Sequence, residues 1–257
     1  MPSALITGAS KGIGKAIAIE LAKHKFDLIL VARSEKLLAS VSKEIVSQFN
    51  VKVDFLALDL SEKDAANKLY EWCLEKNYQV SMLVNNAGYG LSGKFENYSA
   101  EDNYNMMQLN MITLVQLCQT FLPMLKKQPR AYILNIASST AYQAIPNLSL
   151  YSATKAFVLR FSRGLKHELS KTNVTVTVVS PGSTDTEFVE RAQINEKALK
   201  AAKNVNMTPE AVAKIAVEGT LAGKTEVITG LINKLGALMA WLLPAAIVEK
   251  TAGGIYE

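Results

Sequence analysis

Tyr151 and Lys155, in the run YSATK, could exchange a proton with a ligand before any fold is considered. On a helix, positions four apart share a face, so the phenol and the ammonium can address one molecule. A free phenol ionises near pH 10, and an adjacent ammonium lowers that value by favouring the phenolate. A lowering of about two to three units corresponds to roughly 3–4 kcal/mol of differential interaction. In a chain with nine tyrosines and abundant lysine the pair also arises by chance. Its weight comes from the apolar run just upstream, ILNIASS, which ends in Ser138 and Ser139. Open parallel sheets bind ligands at the carboxyl ends of their strands. A serine hydroxyl there can donate to a carbonyl oxygen as negative charge develops on it. Taken alone, the two serines also suit a plain turn.

A second constellation lies near the N-terminus, where the apolar run at 3–7 passes into TGASKGIG, residues 7–14. A glycine-rich turn from strand into helix lets backbone N–H groups and the helix N-terminus approach a pyrophosphate. Gly8 permits the tight turn, Gly12 the close approach of phosphate and Gly14 the packing of helix on strand, with Ser10, Lys11 and Ile13 completing the cradle. Three glycines in eight residues also describe an ordinary turn; the place after the first strand of an alternating pattern selects a nucleotide. A site for NAD usually carries an acidic residue at the end of the second strand, against the ribose hydroxyls. That strand ends in VARS, so Arg33 and Ser34 stand there instead. With Lys11 they set two cations and a hydroxyl around the adenosine ribose, which favours a 2′-phosphate and hence NADP(H) over NAD(H). Arg33 by itself also fits a solvated helix start.

The elements that must position these residues alternate. Apolar strand runs at 3–7, 26–32, 51–60, 80–88, 131–138, 174–180 and 225–230 are separated by helical patterns at 12–25, 37–45, 63–77, 104–127 and 150–171. Strands rich in Val, Ile and Leu on both faces, separated by amphipathic helices, predict a parallel sheet covered on both sides: an α/β, Rossmann-type doubly wound fold of about seven strands. One domain over 1–257 is the simplest organisation, with a polar, helix-prone flap at about 184–206 over the site and an apolar C-terminal extension at about 231–250.

Composition narrows the function. The charge of +5 is spread along the chain with no basic run longer than Lys126-Lys127, which favours solvated helix faces over a nucleic-acid patch. Cys73 and Cys118 lack metal or redox-motif spacing and read as buried thiols in a reducing compartment. With only His24 and His167, no metal centre and no His-dependent hydrolase triad is expected. The first strand starts beside Met1, without room for a signal peptide, and the apolar run at 238–248 is too short to span a bilayer. A cytoplasmic protein is expected.

The chain resembles the short-chain dehydrogenase/reductase family over essentially its whole length. TGASKGIG, Asp59, NNAG at 85–88, Asn110, Ser138, YSATK and PGSTDT from Pro181 follow one another in the family's order. The resemblance implies a hydride transfer between nicotinamide and a carbonyl or alcohol, without a metal. It implies Ser138 as catalytic serine, Tyr151 as general acid or base, Lys155 as holder of the nicotinamide ribose, and Asn110 as the residue that positions a water in the proton relay. It further implies that Asp59 and Leu60 contact adenine, that Asn86, Ala87 and Gly88 back the adenosine side, and that Pro181, Gly182, Thr184 and Thr186 flank the nicotinamide amide. Asp59 also fits a helix start, and 85–88 a stabilising turn. The partner is a small carbonyl or alcohol, and a homodimer or homotetramer is expected. The apolar tail departs from bacterial 3-oxoacyl-carrier-protein reductases, which usually close soon after the ITG at 228–230. Packing of that tail on the core or another subunit is favoured over a membrane-surface contact. Two alternatives stand beside the carbonyl reductase: a 3-oxoacyl thioester reductase, and a non-catalytic NADPH-binding sensor or scaffold. Loops near 90–94 and 142–148 are expected to line the pocket, with Phe188 in the flap.

Overall fold

The computed structural model describes residues 2–184 and 206–256, with side chains described as far as Thr251. Strands β1 (Ser3–Thr7), β2 (Asp27–Ala32), β3 (Val53–Ala57), β4 (Val80–Asn85), β5 (Ala131–Ile136), β6 (Val174–Ser180) and β7 (Glu226–Ile228) pair in one sheet, in the order β3-β2-β1-β4-β5-β6-β7. Every pairing is parallel. This is the Rossmann-type α/β sheet that the alternating pattern predicts. The strand order reverses between β1 and β4, so the connections leaving their carboxyl ends diverge and open a crevice there.

Helices α1 (Gly12–Lys23), α2 (Glu35–Gln48), α3 (Ala65–Glu75), α4 (Ala100–Met107), α5 (Thr113–Lys126), α6 (Ser149–Glu168) and α7 (Pro209–Leu221) flank the sheet. The two-residue period of each strand divides the core into two layers. Ala4 and Ile6 of β1 meet Ile17, Leu21, Leu38, Ile45 and Val217 on one face. Leu5 meets Leu69, Phe121, Leu125 and Val158 on the other. Phe121 is fully buried and packs T-shaped against Tyr70 at a centroid distance of 5.2 Å. Cys73 and Cys118 are free and buried as expected, and burial pushes both thiols up to about 12.

Three features differ from expectation. The predicted 104–127 helix begins earlier, because Ser99 and Asp102 close a capping box ahead of α4. It also contains a π-helical turn, Gln108–Ile112, between α4 and α5. Second, α7 packs on α1, starting from Thr208 as N-cap with Pro209 behind it. Third, the apolar extension forms α8 (Leu231–Leu242) and α9 (Ala245–Tyr256), broken at Pro244, and α8 buries none of its residues, so within this chain it is not a core helix. The expected flap at 184–206, with Thr186 and Phe188, lies outside the described residues apart from its ends. Those ends meet in an isolated bridge between Thr184 and Met207.

Candidate active site

The glycine loop leaves β1 with Gly8 at φ +65° and Gly12 at φ +56°, conformations that a side chain would strain. Gly14 serves packing: a Cβ there would lie 2.2 Å from the Gly8 carbonyl oxygen. It is also the one residue of the predicted cradle that does not face the cleft, whereas Gly8, Ser10, Lys11, Gly12 and Ile13 do. The loop is braced from β4. Thr7 Oγ1 donates to Val84 O at 3.1 Å and accepts from the backbone N–H groups of Asn86 (2.9 Å) and Ala87 (3.0 Å). Asn86 Nδ2 donates to Thr7 O at 2.9 Å and Gly8 O at 3.2 Å. Asn86 thus stabilises a turn, and Asn86, Ala87 and Gly88 line the cleft.

Arg33 is exposed where β2 ends at the cleft, and Ser34 caps α2 by accepting from Leu37 N–H. Lys11 lines the same end. Asp59 precedes a turn instead of starting a helix; its carboxylate accepts from Ser61 N–H at 2.9 Å and Ser61 Oγ at 2.7 Å. Asp59 and Leu60 also line the cleft.

At the opposite end α6 carries Tyr151 and Lys155 on one buried face. The Lys155 ammonium donates to Ile136 O at 3.0 Å and lies 5.8 Å from the centre of the Tyr151 ring. Burial lowers its pKa from 10.5 to about 8. Ser138 leaves β5 in extended backbone and caps the 3-10 turn Ser139–Tyr142, its oxygen accepting from Thr140 N–H at 3.1 Å. With that acceptance made, the serine proton can be offered elsewhere. Thr140 Oγ1, buried at the cleft wall, has no protein partner among the described residues.

Asn110 sits in the π-turn, 1% exposed, and does not line the cleft. Its Oδ1 accepts from Tyr89 N–H at 3.1 Å, and its Nδ2 donates to Tyr89 O at 2.9 Å and Thr154 Oγ1 at 3.1 Å. The carboxamide thus ties the segment after β4 to α6, one residue from Lys155. Gly88 is confined between them: a Cβ there would lie 2.9 Å from Asn110 Oδ1 and 3.5 Å from Lys155 Nζ.

A single cleft of about 1020 Å³ joins the two ends and is also lined by Pro181, Gly182 and Thr184. Of the predicted site residues, only Gly14 and Asn110 lie behind its wall, and Thr186 is outside the described residues. Tyr89, Asn105, Leu109, Thr140 and Glu210 are wall residues that sequence patterns missed. Of these, Tyr89 directly follows NNAG and could have been inferred from that motif. Of the expected 142–148 loop Leu148 lines the cleft, whereas Tyr142 donates to Glu226 at 2.5 Å, and Glu226 also accepts from Arg163 Nε at 2.6 Å. Gly90 to Lys94 are likewise absent from the wall. The chemistry fits a dinucleotide: a loop opened by Gly8 and Gly12 for a pyrophosphate, hydroxyl and cation at one end, and a buried cation with two hydroxyls at the other.

The profile of the short chain dehydrogenase family matches residues 2–197. An uncharacterized oxidoreductase of Staphylococcus epidermidis is 32% identical over 202 residues, covering 79% of this chain and 86% of its own. The very-long-chain 3-oxoacyl-CoA reductase-B of Danio rerio is 32% identical over 260 residues, covering 98% of this chain and 79% of its own. Among solved structures, a short-chain dehydrogenase from Sphingobium yanoikuyae in complex with NADPH superposes with a TM-score of 0.83 at 31% identity, covering 94% of each chain. No described helix is long and apolar enough to cross a membrane. The chain belongs to the short-chain dehydrogenase/reductase family of oxidoreductases.

Proposed function

We propose that the protein is an NADPH-dependent carbonyl reductase or alcohol dehydrogenase, acting through Ser138, Tyr151 and Lys155. The observation that carries this reading is the buried Lys155 ammonium beside the Tyr151 ring, with Ser138 at the end of β5, in the same cleft as the glycine loop. Bound nicotinamide supplies the hydride in reduction and takes it up in oxidation. The Ser138 hydroxyl donates to the carbonyl oxygen and strengthens its hold as that oxygen gains charge. Tyr151 then delivers its phenolic proton to the oxygen, and the Lys155 ammonium stabilises the phenolate left behind. Asn110 would position a relay water, its side chain holding the segment after β4 against α6 through Tyr89 and Thr154. Arg33, Lys11 and Ser34 would hold the 2′-phosphate, Asp59 and Leu60 the adenine, and Pro181, Gly182 and Thr184 the nicotinamide amide.

A second enzyme reading, a 3-oxoacyl thioester reductase, is favoured by the Danio rerio relative, which aligns along nearly the whole chain. Following cofactor absorbance with NADPH or NADH against a panel of ketones, aldehydes and 3-oxoacyl-CoA thioesters tests both. Faster oxidation of NADPH with free ketones supports the first reading, and a preference for thioesters supports the second. Tight NADPH binding without turnover across the panel would instead indicate a sensor or scaffold. A homodimer or homotetramer of single-domain subunits in the cytoplasm completes the proposal.

A further inference from the structure

Helix α8 is built inside out. Asn233, Ala237 and Ala240, spaced by four and three, are its half-buried positions. On the opposite side Leu231, Leu235, Leu238, Met239 and Leu242 are between 46% and 77% exposed. At 100° per residue these five form one apolar face, directed away from the protein. Trp241, 81% exposed, shares a flank with Lys234, seven residues earlier. No acidic residue occurs between 231 and 248, and the chain as a whole carries +5.

A monomer rarely leaves such a face bare. A second copy could cover it, but this 12-residue helix has a footprint of only about 18 Å by 10 Å, which on its own falls well short of the roughly 800 Å² per copy of a stable interface. The residue types instead match an interfacial helix, with aliphatic side chains on one face and an indole and a cation at the edge. At 12 residues α8 is too short to cross a bilayer and can only lie on one.

The helix also adjoins the cleft. It contacts the 3-10 turn Ser139–Tyr142, and Asn233 fills the space that a side chain at Gly182 would need. We propose that α8 docks the protein on an anionic lipid surface and so presents the mouth of the cleft to carbonyl substrates dissolved in the lipid. The docking stands on the helix alone; the delivery of substrate rests on the carbonyl-reductase reading.

The test measures sedimentation of the full chain with phosphatidylcholine vesicles, with or without phosphatidylglycerol, in the absence of substrate. Emission from Trp241 is followed in a Trp72→Phe background. Wild type should pellet with the anionic vesicles and shift its emission to the blue. The Leu235→Glu/Met239→Glu variant, altered only at exposed positions, should lose about tenfold in bound fraction and keep its melting temperature and its activity on a water-soluble ketone. Wild type remaining in the supernatant with both vesicle types overturns the proposal, as does equal pelleting of the variant. So does light scattering in which the variant falls from dimer to monomer while wild type binds no lipid, because the occupant is then a second copy. Docking without vesicle-stimulated turnover of a lipid-dissolved ketone would overturn only the delivery of substrate.

Discussion

Lys155 is the residue at which burial and charge conflict most directly. Its ammonium donates to one backbone carbonyl in a residue only 5% exposed, and its pKa falls to about 8. Between pH 8 and 10.5 the unfolded chain therefore holds a proton that the folded chain has released, so folding becomes more favourable as pH rises through that window. The shift corresponds to about 3 kcal/mol lost at neutral pH and recovered by about pH 10.5. Thermal melts of the cofactor-free protein should show the Lys155→Met variant gaining stability over wild type at pH 7, with the gap closing toward pH 10.5. A gap independent of pH would contradict that account. Arg33 offers a separate test at the cofactor's other end. Arg33→Ala should raise the KM for NADPH about tenfold or more while leaving that for NADH nearly unchanged, as expected for a lost charge-assisted contact of about 1.5–3 kcal/mol. Equal weakening for both cofactors would remove Arg33 from phosphate recognition. Ser138, Arg33, Gly8 and Gly12 were legible because each marks a change of element: Ser138 where β5 ends, Arg33 where β2 ends, Gly8 and Gly12 where β1 turns into α1. The side-chain role of Asn110 was not legible, since its partners Tyr89 and Thr154 are distant in sequence and meet it only through the π-turn.

At the scale of elements, the strand that delivers each residue and the helix that receives it are fixed by packing with little tolerance. Gly14 shows how little. An added methyl 2.2 Å from Gly8 O must displace either α1 or the loop. Gly14→Ala should therefore cost about 1–3 kcal/mol of stability and weaken NADPH binding, read by thermal melting and cofactor fluorescence. Unchanged melting and binding would show that the loop can relax around it. Strands were legible as continuous apolar runs because the sheet is buried on both faces, and helices from the spacing of their apolar residues. Local signals that were overlooked account for two of the differences: Ser99 with Asp102 starts α4 early, and Thr208-Pro209 starts α7. The outward face of α8 was not legible, since composition reports that a helix is apolar but not which side its small residues place against the protein.

For the whole molecule, the reversal of strand order between β1 and β4 makes one cleft serve both the glycine loop and the Ser138–Tyr151–Lys155 cluster. If the subunits assemble as a homodimer or homotetramer, light scattering should give two or four times the 28.0 kDa chain mass; a monomer at micromolar concentration would contradict the assembly. The central claim is that this cleft performs proton transfer at Tyr151 beside a bound nicotinamide. Its most direct test is Tyr151→Phe, measured for NADPH affinity by fluorescence and for carbonyl turnover by cofactor absorbance. The account predicts a fall in kcat of roughly 10²–10⁴-fold with NADPH affinity nearly unchanged. Turnover close to wild type in that variant would contradict it.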